Sequence, residues 1–152
     1  MTQESGISFA SYGKDFQEKI VQGLLTDSMW AEQMAEVIDT QFFDLKYLRF
    51  LADRYFTYHQ KYKDFPTLPL LVSIIRDDLK TGNDTILRDQ IVEYLQRIRH
   101  NPNMGDLEYV KDKSLDFCRK QAFRGALEEA VDLIQVDKFD SVIDLMRHAM
   151  SV

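Results

Sequence analysis

Apolar positions along this chain recur at steps of three and four for most of its length, the spacing that gathers side chains on one face of an α-helix. Residues 1–12 lack it and read as a loose arm pinned by Phe9 and Tyr12. A first helix is predicted from about Lys14 to Leu25, with Phe16, Ile20, Gly23 and Leu24 on one face. Asp27 or Ser28 caps a second helix through about Ile38, where Trp30, Met34, Val37 and Ile38 recur. The third helix carries the strongest pattern. Asp44 is its expected N-cap, and Leu48, Leu51, Tyr55, Tyr58, Tyr62 and Phe65 form a stripe widened by Phe43, Tyr47 and Phe50. A helix this apolar belongs at the centre of a domain. Pro66 is expected to stop it, because the residue before a proline is pushed out of the helical region. Thr67 then caps a fourth helix with Pro69 in its first turn and Leu71, Ile74, Ile75 and Leu79 on its face, ending near Gly82. Asn83 or Asp84 caps a fifth, bearing Leu87, Ile91, Tyr94, Leu95 and Ile98.

The stretch His100-Asn-Pro-Asn-Met-Gly105 is the clearest break, with Pro, Gly and Asn crowded together. It divides a globular helical head of about five helices, residues 1–100, from residues 101–152. Beyond it a long helix is predicted over about Asp106–Gln135, with a stripe of Leu115, Cys118, Ala122, Ala126, Ala130 and Leu133. Small residues at Ala122, Gly125 and Ala126 allow another helix to approach closely. A second apolar edge, Phe123, Leu127, Val131 and Ile134, flanks that stripe. After Val136–Lys138 a last helix carries Phe139, Val142, Ile143, Met146, Ala149 and Met150. The two form a helical hairpin with a short connection. Two helices cannot bury this much apolar edge alone, so the hairpin is expected to dock on residues 1–100 or to pair with a second subunit. Phe123, Leu127, Phe139, Val142, Ile143 and Met146 are the candidates for holding the hairpin or its self-association interface. The chain stops at Val152 without a capping Gly or a polar tail, which reads as a cut from something longer.

Composition supports an all-α fold: only three Pro and six Gly occur in 152 residues. The net charge of −6 argues against a phosphate-binding surface, which needs clustered cations. The nearest approach to such a cluster, Arg97, Arg99 and His100, reads as a solvated helix end. A single cysteine, Cys118, excludes an internal disulfide and fits a buried small hydrophobe in a reducing, cytoplasmic compartment. No signal layout and no membrane-length apolar run is present.

Candidate chemistry is sparse. The scattered glycines form neither phosphate-binding loop pattern. His59, His100 and His148 lie far apart and no Cys or His pair has metal-ligand spacing. The adjacent carboxylates Asp77-Asp78 and Glu128-Glu129 point about 100° apart around a helix and share no site. The reading is of a segment with no catalytic residue, no metal ligand and no cofactor of its own.

Four stretches carry a family resemblance: FQEKIVQGLLT at 16–26, DTQFFDLKYLRFLADRYF at 39–56, YKDFPTLPLL at 62–71, and the hairpin from Tyr109 to Val152. In order and spacing the chain resembles the N-terminal region of replicative hexameric DNA helicases of the DnaB type, especially phage versions. The family's His-Arg pair is replaced here by Ala52-Asp53-Arg54, and its Gly before the proline by Phe65. The resemblance implies a homo-oligomerising collar domain that offers a surface to primase and to a helicase loader. It also implies that the ATPase motor, with its ATP, magnesium and DNA, lies outside this segment, in a parent ATP-dependent helicase. The competing expectations are a free-standing helicase adaptor or inhibitor that caps the ring, an unrelated helical nucleic-acid-binding regulator, and a helical enzyme whose site assembles only in the fold.

Overall fold

The computed structural model describes residues 7–80, 82, 84–100 and 105–151. Among them the fold is all-α with no strand, and seven α-helices follow in order: α1 (Lys14–Thr26), α2 (Ser28–Ala35), α3 (Lys46–Tyr62), α4 (Leu68–Lys80), α5 (Thr85–His100), α6 (Leu107–Gln135) and α7 (Phe139–Ser151). No helix among the described residues is long and apolar enough to cross a membrane.

Several helix starts follow from local side-chain chemistry. The Asp27 carboxylate accepts the Trp30 N–H at 3.1 Å, that of Asp84 accepts Leu87 N–H at 2.9 Å, and the Thr67 hydroxyl accepts Leu70 N–H at 3.4 Å. Each satisfies a backbone donor that the first helical turn leaves unpaired. Three boundaries differ from the sequence expectation. The second helix ends at Ala35 rather than Ile38, because Asp39 caps a separate 3-10 turn at Thr40–Phe42. Val37 still turns inward and is buried.

Asp44 does not cap α3; Leu45 stands at that position with no side-chain bond. The Asp44 N–H instead donates to the buried Gln17 side chain at 2.9 Å, tying the loop to α1. Nor does Pro66 stop α3. The helix ends at Tyr62, where the capping residue Lys63 is left-handed with φ 63° and its N–H bonds the His59 carbonyl. The chain then folds back, so Phe65 stacks on Tyr55 at 4.6 Å and on His59 at 4.2 Å from outside the helix.

Helix α3 packs on α1, α4 and α5. Its Leu48, Leu51 and Tyr55 meet Ile20 and Leu24 of α1, Leu71 of α4 and Ile91 and Tyr94 of α5 in one core. The aromatic stripe is core only in part: Tyr47 and Tyr55 are buried and Tyr62 is exposed.

The core continues past residue 100. Val110 and Cys118 of α6 belong to it. Phe117 closes an aromatic cluster with Phe9, Phe42 and Tyr12, which pins the N-terminal arm. At Gly23 a Cβ would lie 3.1 Å from the Trp30 ring, so the missing side chain lets Trp30 of α2 pack closely on α1, with the Lys111 stem of α6 in ordinary contact at 3.4 Å. Lys111 to Asp27 at 2.8 Å and Lys19 to Asp106 at 3.0 Å complete the attachment. The first half of α6 is thus anchored in the head, and its second half projects with α7.

Candidate self-association surface

The turn between α6 and α7 follows from helix-end chemistry. Asp137 is left-handed, with φ 58°. The Lys138 N–H bonds the Leu133 carbonyl and the Asp137 N–H bonds the Ile134 carbonyl, both at 3.0 Å. These paired bonds satisfy carbonyls that the helix end leaves open. α7 then returns along α6, bringing Ala149 beside Phe123 and Leu127.

Helix α6 changes its buried face along its length. In the first half Leu107, Lys111, Ser114 and Cys118 are buried against the head. In the second half Ala126 and Ala130 are buried and Ala122 and Leu133 are half-buried. That stripe sits about a quarter turn further round the helix and receives α7, whose packing partner is α6. Small residues there bring the two backbones close. On α7 the half-buried residues are Val142, Leu145, Met146 and Ala149.

The six candidates are thereby sorted. Val142 and Met146 lie on the half-buried face of α7, turned toward α6. Phe123, Leu127, Phe139 and Ile143 are exposed, from 38% for Phe123 to 55% for Phe139. Val131, Ile134 and Met150, which the candidate set omitted, are equally open; their signal was present in the helical spacing of Val131 and Ile134 behind Leu127. On each helix the exposed ridge leads the packed stripe by about a quarter turn. Because the helices run antiparallel, both ridges emerge on the same broad side of the hairpin. Phe123, Leu127, Val131 and Ile134 from α6 therefore share one apolar face with Phe139, Ile143 and Met150 from α7.

Charge is segregated along that hairpin. Near the turn stand Glu128, Glu129, Asp132, Asp137, Asp140 and Asp144 against Lys138. Toward the head stand Lys113, Arg119, Lys120, Arg124 and Arg147 against Asp112 and Asp116.

The most connected polar group elsewhere is structural. Glu18 of α1 is buried, and its two carboxylate oxygens accept Arg97 Nη1 at 2.7 Å and Nη2 at 2.8 Å. The Tyr47 hydroxyl donates to the same carboxylate and the Tyr94 hydroxyl to the Glu18 backbone carbonyl. Burial pushes the Glu18 carboxyl up, but the bonds from Arg97 and Tyr47 outweigh it and hold it below its ordinary value. Burial raises both the Tyr47 and Tyr94 hydroxyls, followed by the hydrogen bond to the Glu18 carboxylate for Tyr47 and by the Glu18 charge for Tyr94. Arg97, Arg99 and His100 are exposed at the end of α5 as expected, and Arg97 in addition ties α5 to α1 through Glu18. The partners lie 79 residues apart and left no local signal. Cys118 is fully buried, and burial raises its thiol, which fits the inert small hydrophobe expected of it. Among the described residues no group of His, Cys, Asp or Glu is placed to hold a metal ion.

No protein-family model, no curated protein and no solved structure matches the chain.

Proposed function

We propose that this chain is a non-catalytic oligomerisation and docking domain, the N-terminal collar of an ATP-dependent replicative DNA helicase. The observation that carries the reading is the continuous apolar face on one side of the α6–α7 hairpin, projecting from a head that already has its own core. A face of this kind marks an interaction surface. The four-part resemblance to the helicase N-terminal region supplies the biological setting. In that setting primase and a helicase loader are the partners, and ATP, magnesium and DNA belong to the motor.

The occupant of the face is a second copy of the chain. Hairpins packed antiparallel, tip against base, set the acidic turn of each copy beside the cationic stem of the other. Parallel packing would set like charges together. A two-fold arrangement buries the same patch on both subunits, as closed homo-oligomers do. The collar assignment is tested by the natural reading frame. It is expected to continue past Val152 into a Gly-x-x-x-x-Gly-Lys-[Ser/Thr] motif; a stop codon there would overturn the collar role and leave self-association to be judged separately.

A further inference from the structure

Helices α4 and α5 leave a trough between them. Leu68, Pro69, Val72, Val92 and Leu95 line it, and its volume is about 630 Å³. It continues through Ser73 and Arg76 into a second cleft bounded by Asp77, Lys80 and Arg88. The two together follow α4 from Leu68 to Lys80, about 18 Å at 1.5 Å per residue. The floor is apolar, and Leu68 and Val92 stand exposed along it.

The rim is cationic. Arg99 closes one end beside Leu68, Arg76 stands midway, and Lys80 and Arg88 close the other. Among the described residues Arg88 is held by Asp89 at 3.6 Å, whereas Arg76, Lys80 and Arg99 make no ion pair. Asp78, Glu93 and Asp84 are engaged by Arg54, Arg97 and Lys46, so among the lining residues Asp77 is the one carboxylate set against Arg76, Lys80, Arg88 and Arg99. In a chain of net charge −6 this leaves unpaired cations around an apolar floor.

We infer that the α4–α5 trough is a docking site for an acidic amphipathic helix of another protein. About three turns of helix fill the length. An apolar ridge at i, i+3, i+4 and i+7 lies on Val72, Val92 and Leu95, and carboxylates at both ends reach Arg76, Arg99 and Lys80. The apolar floor favours a peptide over a nucleic acid, which would seek an unbroken run of cations. The site is independent of the helicase reading and of the hairpin face.

The test is fluorescence anisotropy with the full chain and a labelled helical peptide of about sixteen residues, carrying a Leu ridge flanked by Glu. The comparators are the same ridge flanked by Lys and an oligothymidine strand. The acidic peptide is expected to bind at least about tenfold more tightly than the Lys-flanked one. Val92→Glu should abolish binding, and Arg76→Glu should reverse the preference between the two peptides. Both sites are exposed, and circular dichroism checks that the variants are folded. Equal binding of the two peptides, binding unchanged by Val92→Glu, or displacement by the oligothymidine would overturn the inference. Loss of self-association in Val92→Glu would assign the trough to a second copy instead. Leu127→Glu, on the hairpin face, should leave peptide binding unchanged, so the two surfaces fail or stand separately.

Discussion

At Glu18 burial and charge pull in opposite directions, and hydrogen bonding decides the outcome. A carboxylate in the core is tolerated because Arg97 grips both oxygens and Tyr47 donates to one of them. Removing one partner leaves the other desolvated and unpaired. Glu18→Gln is therefore expected to cost about 1–3 kcal/mol in urea unfolding, at the lower end because Arg97 is still 45% exposed. The sign of the pH dependence follows from the lowered value of the carboxyl. The stabilisation is complete above the ordinary value of 4.5 and is lost as pH falls through the lower folded value. Asp27, lowered by Lys111 and by the Trp30 N–H, contributes with the same sign. Urea midpoints measured downward from pH 6 should fall below that value in the parent chain and fall less steeply in Glu18→Gln; parallel curves would show that Glu18 carries no such linkage. No sequence pattern announced this cluster, because its members come from α1, α3 and α5 and meet only in the fold.

Among the elements, three helix starts were legible from neighbouring residues, whereas the Asp39 cap of the 3-10 turn was not. The caps at Asp27, Thr67 and Asp84 bond backbone three residues away, so the local sequence contains the whole interaction. The two left-handed helix ends were not legible, because Lys63 and Asp137 hold a conformation that glycine ordinarily supplies. Pro66 drew the prediction for the end of α3 to itself, although the helix already stops at Tyr62. Lys63→Gly should accordingly raise stability by about 0.5–1 kcal/mol, read as a higher thermal midpoint. Asp137→Gly should gain less, since Asp tolerates the left-handed region better than Lys does. Helix α7 rests on α6, so its stability depends on the stripe at Ala126 and Ala130. Ala126→Glu sets an unpaired charge there. It should cost several kcal/mol, on the order of 3, in the packing of α7. Hydrogen exchange should then show α7 amides unprotected while α3 amides keep their protection. Protection of α7 equal to that of the parent would contradict the hairpin register.

For the whole molecule, the all-α class and the order of helices were readable from periodicity. The division at residue 100 was readable only in part. The break marks where the chain leaves α5, but the first half of α6 returns to the core through Val110, Phe117 and Cys118. The rotation of the buried face along α6 accounts for both apolar edges seen in its sequence. One face meets the head, one meets α7, and the third is open. That third face is where a second copy of the chain is expected to bind. Sedimentation equilibrium across a concentration series, comparing the parent chain with Leu127→Glu, tests it most directly. Leu127 is 46% exposed, so the substitution should change folding stability by no more than about 0.5 kcal/mol. The parent chain is expected to associate with rising concentration, and Leu127→Glu to stay a monomer of unchanged thermal midpoint. A parent chain that stays monomeric at high concentration, or an association indifferent to Leu127→Glu, would contradict it.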